Sequence, residues 1–196
     1  MKKLFQAVNK RDFATVKSII DKSPDLVNCI SIGAVKADEG QSLLRVAVKN
    51  SSYDIVEFLV QNGADINFYT LADDMYISHQ AIYTVLRRTI PSTAYEGTFD
   101  DAFKILNLLI NEGIDLTSKD KFNRNCFQSG IGISRGCVYN NIHDYSLPDD
   151  NEWLEKIKSV FQLLLQQNID TSLPEMWKNV EGIAKWRMNI LDLCAR

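Results

Sequence analysis

Between Gly40 and Asn67 the chain reads GQSLLRVAVKNSSYDIVEFLVQNGADIN. That is a short apolar helix, a turn at Asn50-Ser51-Ser52, a second amphipathic helix, and then Gly-Ala-Asp-Ile-Asn. Over residues 53–61, Ile55, Val56, Leu59 and Val60 fall on one helical face, with Asp54, Glu57 and Gln61 on the other. Two helices this short cannot bury an apolar face between them, so similar neighbours must cover it. The Leu, Ile and Val residues of such helices are therefore expected in a core.

The neighbours can be found by spacing. From Ala47, Val56 follows at nine residues, Leu59 at twelve and Gly63 at sixteen. From Ala7, Val16, Ile19 and Ser23 stand at the same three intervals. The second half recurs as FKILNLLINEGIDL at 103–116 and as SVFQLLLQQNID at 159–170. Aligned on Gly63, these place Leu106 and Phe161 where Val56 stands, and Gly113 and Asn168 at the glycine. A helix that ends in a left-handed residue favours Gly or Asn there, so the matches have a physical cause. First halves are weaker: Ser78-His79-Gln80-Ala81, Asp120-Lys-Phe-Asn123-Arg-Asn125-Cys-Phe127, and near the end Asn189-Ile-Leu-Asp-Leu-Cys194-Ala195.

This order of helix, turn, helix and Gly-Ala-Asp-Ile-Asn resembles the ankyrin repeat family, most specifically in the segment around Ala47. Ser78 to Ala81 resembles the family's Leu-His-x-Ala, and residues 120–127 resemble its Asp-x-x-Gly-x-Thr-Pro-Leu finger, with Asn in place of Gly and Thr. The resemblance implies an all-α solenoid of about four degenerate repeats, each a helix-turn-helix with finger loops. The expected repeats are 1–28, 38–67, 73–117 and 120–172, followed by a partial C-terminal cap at 173–196, all in one domain spanning 1–196. Residues 189–195 are expected to open one more inner helix. His79 takes the family's finger-bracing position, which implies a structural hydrogen bond.

Departures from the period mark candidate sites. Ala47 to Ala81 is 34 residues, close to the family period of roughly 33, whereas Ala81 to Gly130 is 49. The excess lies in 83–100; a second insertion occupies 131–152, and a smaller one, 29–39, lies in the first finger. Stacked repeats would make the two larger insertions neighbours on one edge. They hold Arg87, Arg88, Tyr95, Phe99, Arg135, Tyr139, His143 and Tyr145, with the acidic pairs Asp100-Asp101 and Asp149-Asp150. Arginine and aromatic residues are enriched at binding hot spots, and loops this long are usually functional or disordered. An alternative reading makes Arg87 and Arg88 the end of an extended inner helix, offsetting its dipole. The second candidate surface is the concave face of inner helices and fingers, expected to expose Arg45, Lys49 and Asn50, with Tyr69, Asp73, Asp74 and Tyr76 projecting from the finger of the third repeat.

Chemistry-bearing motifs are scarce. There is no GxSxG, P-loop or GxGxxG, and only His79 and His143 are available for acid–base work. Cys126, Cys137 and His143 fall within eighteen residues but lack the tight ligand pairs of a zinc site. No cofactor or metal is expected, and no catalytic residue. The chain is 45% hydrophobic and 24% charged with a net charge of -3, so no basic surplus advertises nucleic acid. Apolar runs such as 161–165 are too short to span a bilayer. The N-terminus turns polar after Val8, unlike a signal peptide, and four scattered cysteines suit a reducing compartment; the expected location is cytoplasmic. The expectation is a non-catalytic module that binds and neutralises one protein partner with a basic patch, as an immunity protein does a toxin. The alternatives are a host-targeting adaptor and an enzyme with its site in 131–152, built on Cys137, Tyr139, His143 and Asp144.

Overall fold

The computed structural model describes residues 1–71, 73–90, 97–137, 147, 149 and 151–196. Nine α-helices occur among the described residues: α1 (Lys2–Asn9), α2 (Phe13–Lys22), α3 (Leu43–Lys49), α4 (Tyr53–Gln61), α5 (Ile77–Arg87), α6 (Phe99–Asn111), α7 (Cys126–Cys137), α8 (Asn151–Leu165) and α9 (Glu181–Ala195). Strands β1 (Tyr69–Thr70) and β2 (Met75–Tyr76) form one antiparallel hairpin, with Tyr69 opposite Tyr76. None of the described helices is long and apolar enough to cross a membrane.

The helices form two layers. α1, α3, α5, α7 and α9 pack each on the next, as do α2, α4, α6 and α8, and each of the first four inner helices also packs on the outer helix that follows it. The apolar positions read from the sequence lie between the layers: Val56, Leu59, Leu106, Leu109, Phe161 and Leu164 are all inaccessible. Burying such side chains contributes about 1.5–3 kcal/mol each. Short helices of seven to fifteen residues owe their stability to this packing rather than to propensity. Caps sharpen the starts: Asp12, Ser42 and Thr98 accept the backbone N–H groups of Thr15, Arg45 and Asp101.

The backbone repeats more faithfully than the residues do. Gly40, Asp74 and Asn123 each stand seven residues before Ala47, Ala81 and Gly130, and all have positive φ, at 74°, 52° and 57°. Gly63, Gly113 and Asn168 are left-handed after α4, α6 and α8, at 84°, 83° and 53°. Ser23 departs from this pattern: its φ is -147°, and Pro24 follows it directly. A residue before proline is pushed to extended backbone, so the first repeat turns without a left-handed residue.

Three expected boundaries are corrected. α5 continues to Arg87 and α7 to Cys137, so the first parts of 83–100 and 131–152 are helical. The buried face itself carries them on, through Val85 and Leu86 and through Ile131, Ser134 and Cys137. Arg87 is thus the last residue of α5 and Arg88 its C-cap. Finally, residues 189–195 do not open a helix; they are the second half of α9, which begins at Glu181.

Candidate functional site

Four connecting segments lead into α3, α5, α7 and α9, and contacts run from each to the next. Asn28 Nδ2 donates to the Gly63 carbonyl at 3.0 Å, and its Oδ1 accepts the Asp65 N–H at 2.7 Å. Asn67 Oδ1 accepts the Asp115 N–H at 2.8 Å, and Asn125 Nδ2 donates to the Asp170 carbonyl at 2.7 Å. Asp65, Asp115 and Asp170 sit two residues after the left-handed positions, and each folds its carboxylate back onto the N–H two residues on. A row of Asn and Asp thus ties finger to finger.

Arg45 is not exposed. Its side chain is only 2% accessible, and its guanidinium is held by Asp73 through two hydrogen bonds of 2.6 and 2.5 Å. Gln80 Oε1 accepts from the same guanidinium at 3.2 Å, and Gln80 Nε2 donates to Thr84 Oγ1. A planar fork matches a carboxylate better than an ammonium could. Asp73 keeps 41% of its side chain accessible. Lys49 does reach the surface, but its Nζ pairs at 2.5 Å with Asp38, which is buried in the first finger and also accepts from Asn9. Asn50 donates to Asn9 Oδ1 at 3.0 Å.

In the hairpin, Tyr69 and Tyr76 are half-buried and pack with rings tilted by 46° and centres 4.7 Å apart, and the Tyr69 hydroxyl donates to Asp74 at 2.7 Å. Asp74, expected as a projecting acid, is instead the left-handed residue of the hairpin turn. Residues Ala37, Arg45, Asp73, Met75, Gln80, Tyr83 and Arg88 line a cleft of about 450 Å³ between the first two fingers and α3 and α5.

His79 braces as the resemblance implied. Its Nε2 lies 2.9 Å from the Arg124 carbonyl, which can only accept, so Nε2 carries the proton. Burial holds its imidazole below the usual histidine range, the carbonyl bond only partly offsetting that. The folded state therefore resists a proton that the unfolded chain takes up near pH 6.5. This contribution to stability is complete above that value and declines as pH falls through it. Thermal melts from pH 7.5 to 5.5 should show Tm falling, and His79→Gln, which keeps a donor for Arg124, should flatten the slope; an unchanged slope in that variant rejects the assignment.

At the next finger, Arg124 holds Asp120 at 2.8 and 2.6 Å and lies over two rings, Phe122 at 4.6 Å and Trp177 at 5.2 Å. Burial raises the Asp120 carboxyl, but Arg124 and the surrounding N–H groups outweigh it and hold the group below the usual carboxylate range.

Sequence reasoning missed three residues here. Ile32, Leu71 and Phe122 stand one on each of the first three fingers and are 71%, 82% and 45% exposed. Their signal was a lone large apolar residue among turn residues, as in Ser31-Ile32-Gly33 and Lys121-Phe122-Asn123.

Of the insertion residues, Arg87 and Arg135 are half-buried and Asp149 is exposed. Arg88 donates to the Lys49 carbonyl at 3.3 Å, and Phe99 stacks on Phe103 with ring centres 5.6 Å apart. Asp101 pairs with Arg11 at 3.4 Å. Tyr95, Tyr139, His143, Asp144, Tyr145 and Asp150 lie outside the described residues. Where the two inner helices end they are adjacent, with Cys137 Sγ 3.7 Å from the Leu86 carbonyl. Cys137 is buried, which pushes its thiol up and away from the thiolate that a nucleophile needs. Cys126 is more extreme, its thiol pushed up to about 12 by burial. Among the described residues no cluster of three His, Cys, Asp or Glu could hold a metal.

Residues 39–68, the ruler segment from which the spacings are counted, match the ankyrin repeat family. No curated protein matches the chain. Ankyrin repeats in general mediate protein–protein interaction and are not catalytic.

Proposed function

We propose that this chain, which carries an ankyrin repeat at 39–68, is a solenoid of four such repeats with a C-terminal cap, and that it holds one protein partner on its fingers and inner helices. The observation that carries this is the exposure of Ile32, Leu71 and Phe122, one in each of the segments that lead into α3, α5 and α7. Large apolar side chains are exposed singly on most proteins, but one in each of three successive connecting segments supplies three anchors. The cleft lined by Asp73, Met75 and Tyr83 adds a concave element to the same part of the chain. The rigid stack lowers the ordering cost of association.

The partner-binding set is then Ile32, Leu71 and Phe122 with Lys49, Tyr69, Asp73 and Tyr76. The insertion residues Arg87, Tyr95, Tyr139, His143, Tyr145, Asp149 and Asp150 are proposed as a second set of contacts. Arg45 and Asp74 contribute by holding Asp73 and the hairpin in place. A partner with a basic patch suits the net charge of -3, through steering more than through final affinity. The finer reading is a cytoplasmic inhibitor that sequesters its partner, as an immunity protein does a toxin; a host-targeting adaptor would use the same face.

Capture of a partner by the wild-type chain tests the face. Ile32→Ser, Leu71→Ser and Phe122→Ser together should weaken binding at least a hundredfold, since anchors of this kind contribute about 2 kcal/mol or more each. Lys104→Ser and Lys158→Ser on the outer helices should leave it unchanged. Retained affinity in the triple variant would place the contact elsewhere.

A further inference from the structure

The last helix presents two surfaces. α9 buries Ile183, Trp186 and Ile190 against α7 and α8, and Trp186 Nε1 donates to Ser134 Oγ at 3.0 Å. About a third of a turn around the helix, Ala184, Met188, Leu191 and Ala195 form a second apolar stripe at helical spacing, with Val180 continuing it at the N-cap. Met188, at its centre, is 49% exposed. Beside the stripe runs a row of exposed charges, in order Glu181, Lys185, Asp192 and Arg196.

That row is antisymmetric. A two-fold axis between Met188 and Asn189 sets residue 181 opposite residue 196 of a second copy, and residue 185 opposite residue 192. Each acid then faces a base: Glu181 meets Arg196 and Lys185 meets Asp192, and the symmetry makes every pair twice. Rotation about an axis normal to the plane of the two helices brings the same flank of each copy together, so the charges meet while the stripes are in contact. The face that packs on α7 and α8 points away from the partner in both copies. Among the described residues Glu181, Asp192 and Arg196 carry no ion pair within the chain.

We infer that α9 is a self-association surface: two copies of this chain pair antiparallel through the Ala184–Met188–Leu191–Ala195 stripe, in an isologous contact registered by the flanking charges. This goes beyond the partner-binding reading and uses a different element, so Ile32→Ser, Leu71→Ser and Phe122→Ser do not affect it.

The test is the mass of the full chain in solution, by sedimentation equilibrium at tens to hundreds of micromolar. Wild type should approach twice 22.3 kDa. Lys185→Glu sets acid against acid, and Asp192→Lys base against base, so each alone should weaken the dimer at least tenfold. Mixing these two variants should restore it as a heterodimer, because each reversed residue then faces its complement. Pairing of Glu181 with Lys185, or of Asp192 with Arg196, along one helix predicts no such restoration. Met188→Arg should give a monomer with an unchanged circular dichroism spectrum and melting profile. A monomeric wild type, a mixture that fails to associate, or a dimer that survives Met188→Arg would each overturn the inference.

Discussion

Asp73→Ala is expected to lower stability by about 2–3 kcal/mol, although Asp73 is a partly exposed loop residue and its loss leaves only a small gap. The cost falls on Arg45. Its side chain is 2% accessible, and Asp73 satisfies both ends of the fork. Removing one member of a buried pair strands the other charge at a cost of about 3–5 kcal/mol. The 41% exposure of Asp73 lets water reach the vacated position and reduces that figure, while Gln80 Oε1 still accepts from the guanidinium. For a chain of this size the expected loss is roughly 5–10 °C in Tm. Arg45→Met should cost less, at about 1 kcal/mol. It removes the buried charge and keeps an unbranched apolar stem, while Asp73 turns to solvent and Gln80 keeps Thr84. The double variant should lie near Arg45→Met, well above the sum of the single losses. Denaturant unfolding of the four proteins measures the cycle. If Arg45→Met were as damaging as Asp73→Ala, the stranded-charge account would be wrong.

Arg45 also shows where reading the chain ran short. Helix α4 spans Tyr53–Gln61 as its periodicity predicts, and Asn123 and Asn168 are left-handed where Gly stands in the ruler segment. His79 braces the next finger. All of these are local: a helical face, a turn residue, or a position within one repeat. The Arg45–Asp73 and Lys49–Asp38 pairs are not. Each joins an inner helix to a finger, and whether a charge there meets water or a partner depends on how tightly neighbouring repeats stack. An arginine on an inner helix is expected outside because isolated charges are costly to bury, and spacing alone does not place the carboxylate that makes burial tolerable. The insertion boundaries failed differently. Val85 and Leu86 continue the stripe from Ile82 at helical spacing, but comparison with a fixed period led the count to stop where the family's inner helix stops. Ile32, Leu71 and Phe122 were passed over because a lone apolar residue in a turn carries no periodic signal.

Phe161→Ala is expected to cost about 3–5 kcal/mol, the range for truncating a buried phenylalanine, and its neighbour shows why this site tolerates no simple change. Phe161 is inaccessible and meets Phe127 edge to face with ring centres 5.4 Å apart. In the spacing that defines the repeats it stands where Val56 and Leu106 stand. Where those two follow Ala47 and Ala81, Phe161 follows Gly130. A methyl group on Gly130 would lie 3.3 Å from two ring atoms of Phe161 and 3.5 Å from Ile82 Cγ2. The larger outer-helix residue thus goes with the smaller inner-helix one, and the pair conserves volume between the layers. Alanine in a helix is otherwise favoured over glycine by about 1 kcal/mol, so Gly130→Ala sets that gain against overpacking of about 1–3 kcal/mol. With Phe127 packed edge-on the ring has little room to retreat, and the net effect should be destabilising by about 1 kcal/mol. Phe161→Leu alone should cost about 1–2 kcal/mol, through the space it leaves. Together the two rebuild the combination found at Ala81 and Leu106, the clash disappears, and the helix preference of alanine is recovered. The double variant should therefore be more stable than either single one, with a coupling of about 1–2 kcal/mol. Chemical denaturation of the three variants beside wild type measures it, and simple additivity would show that Gly130 is small for a reason other than the ring.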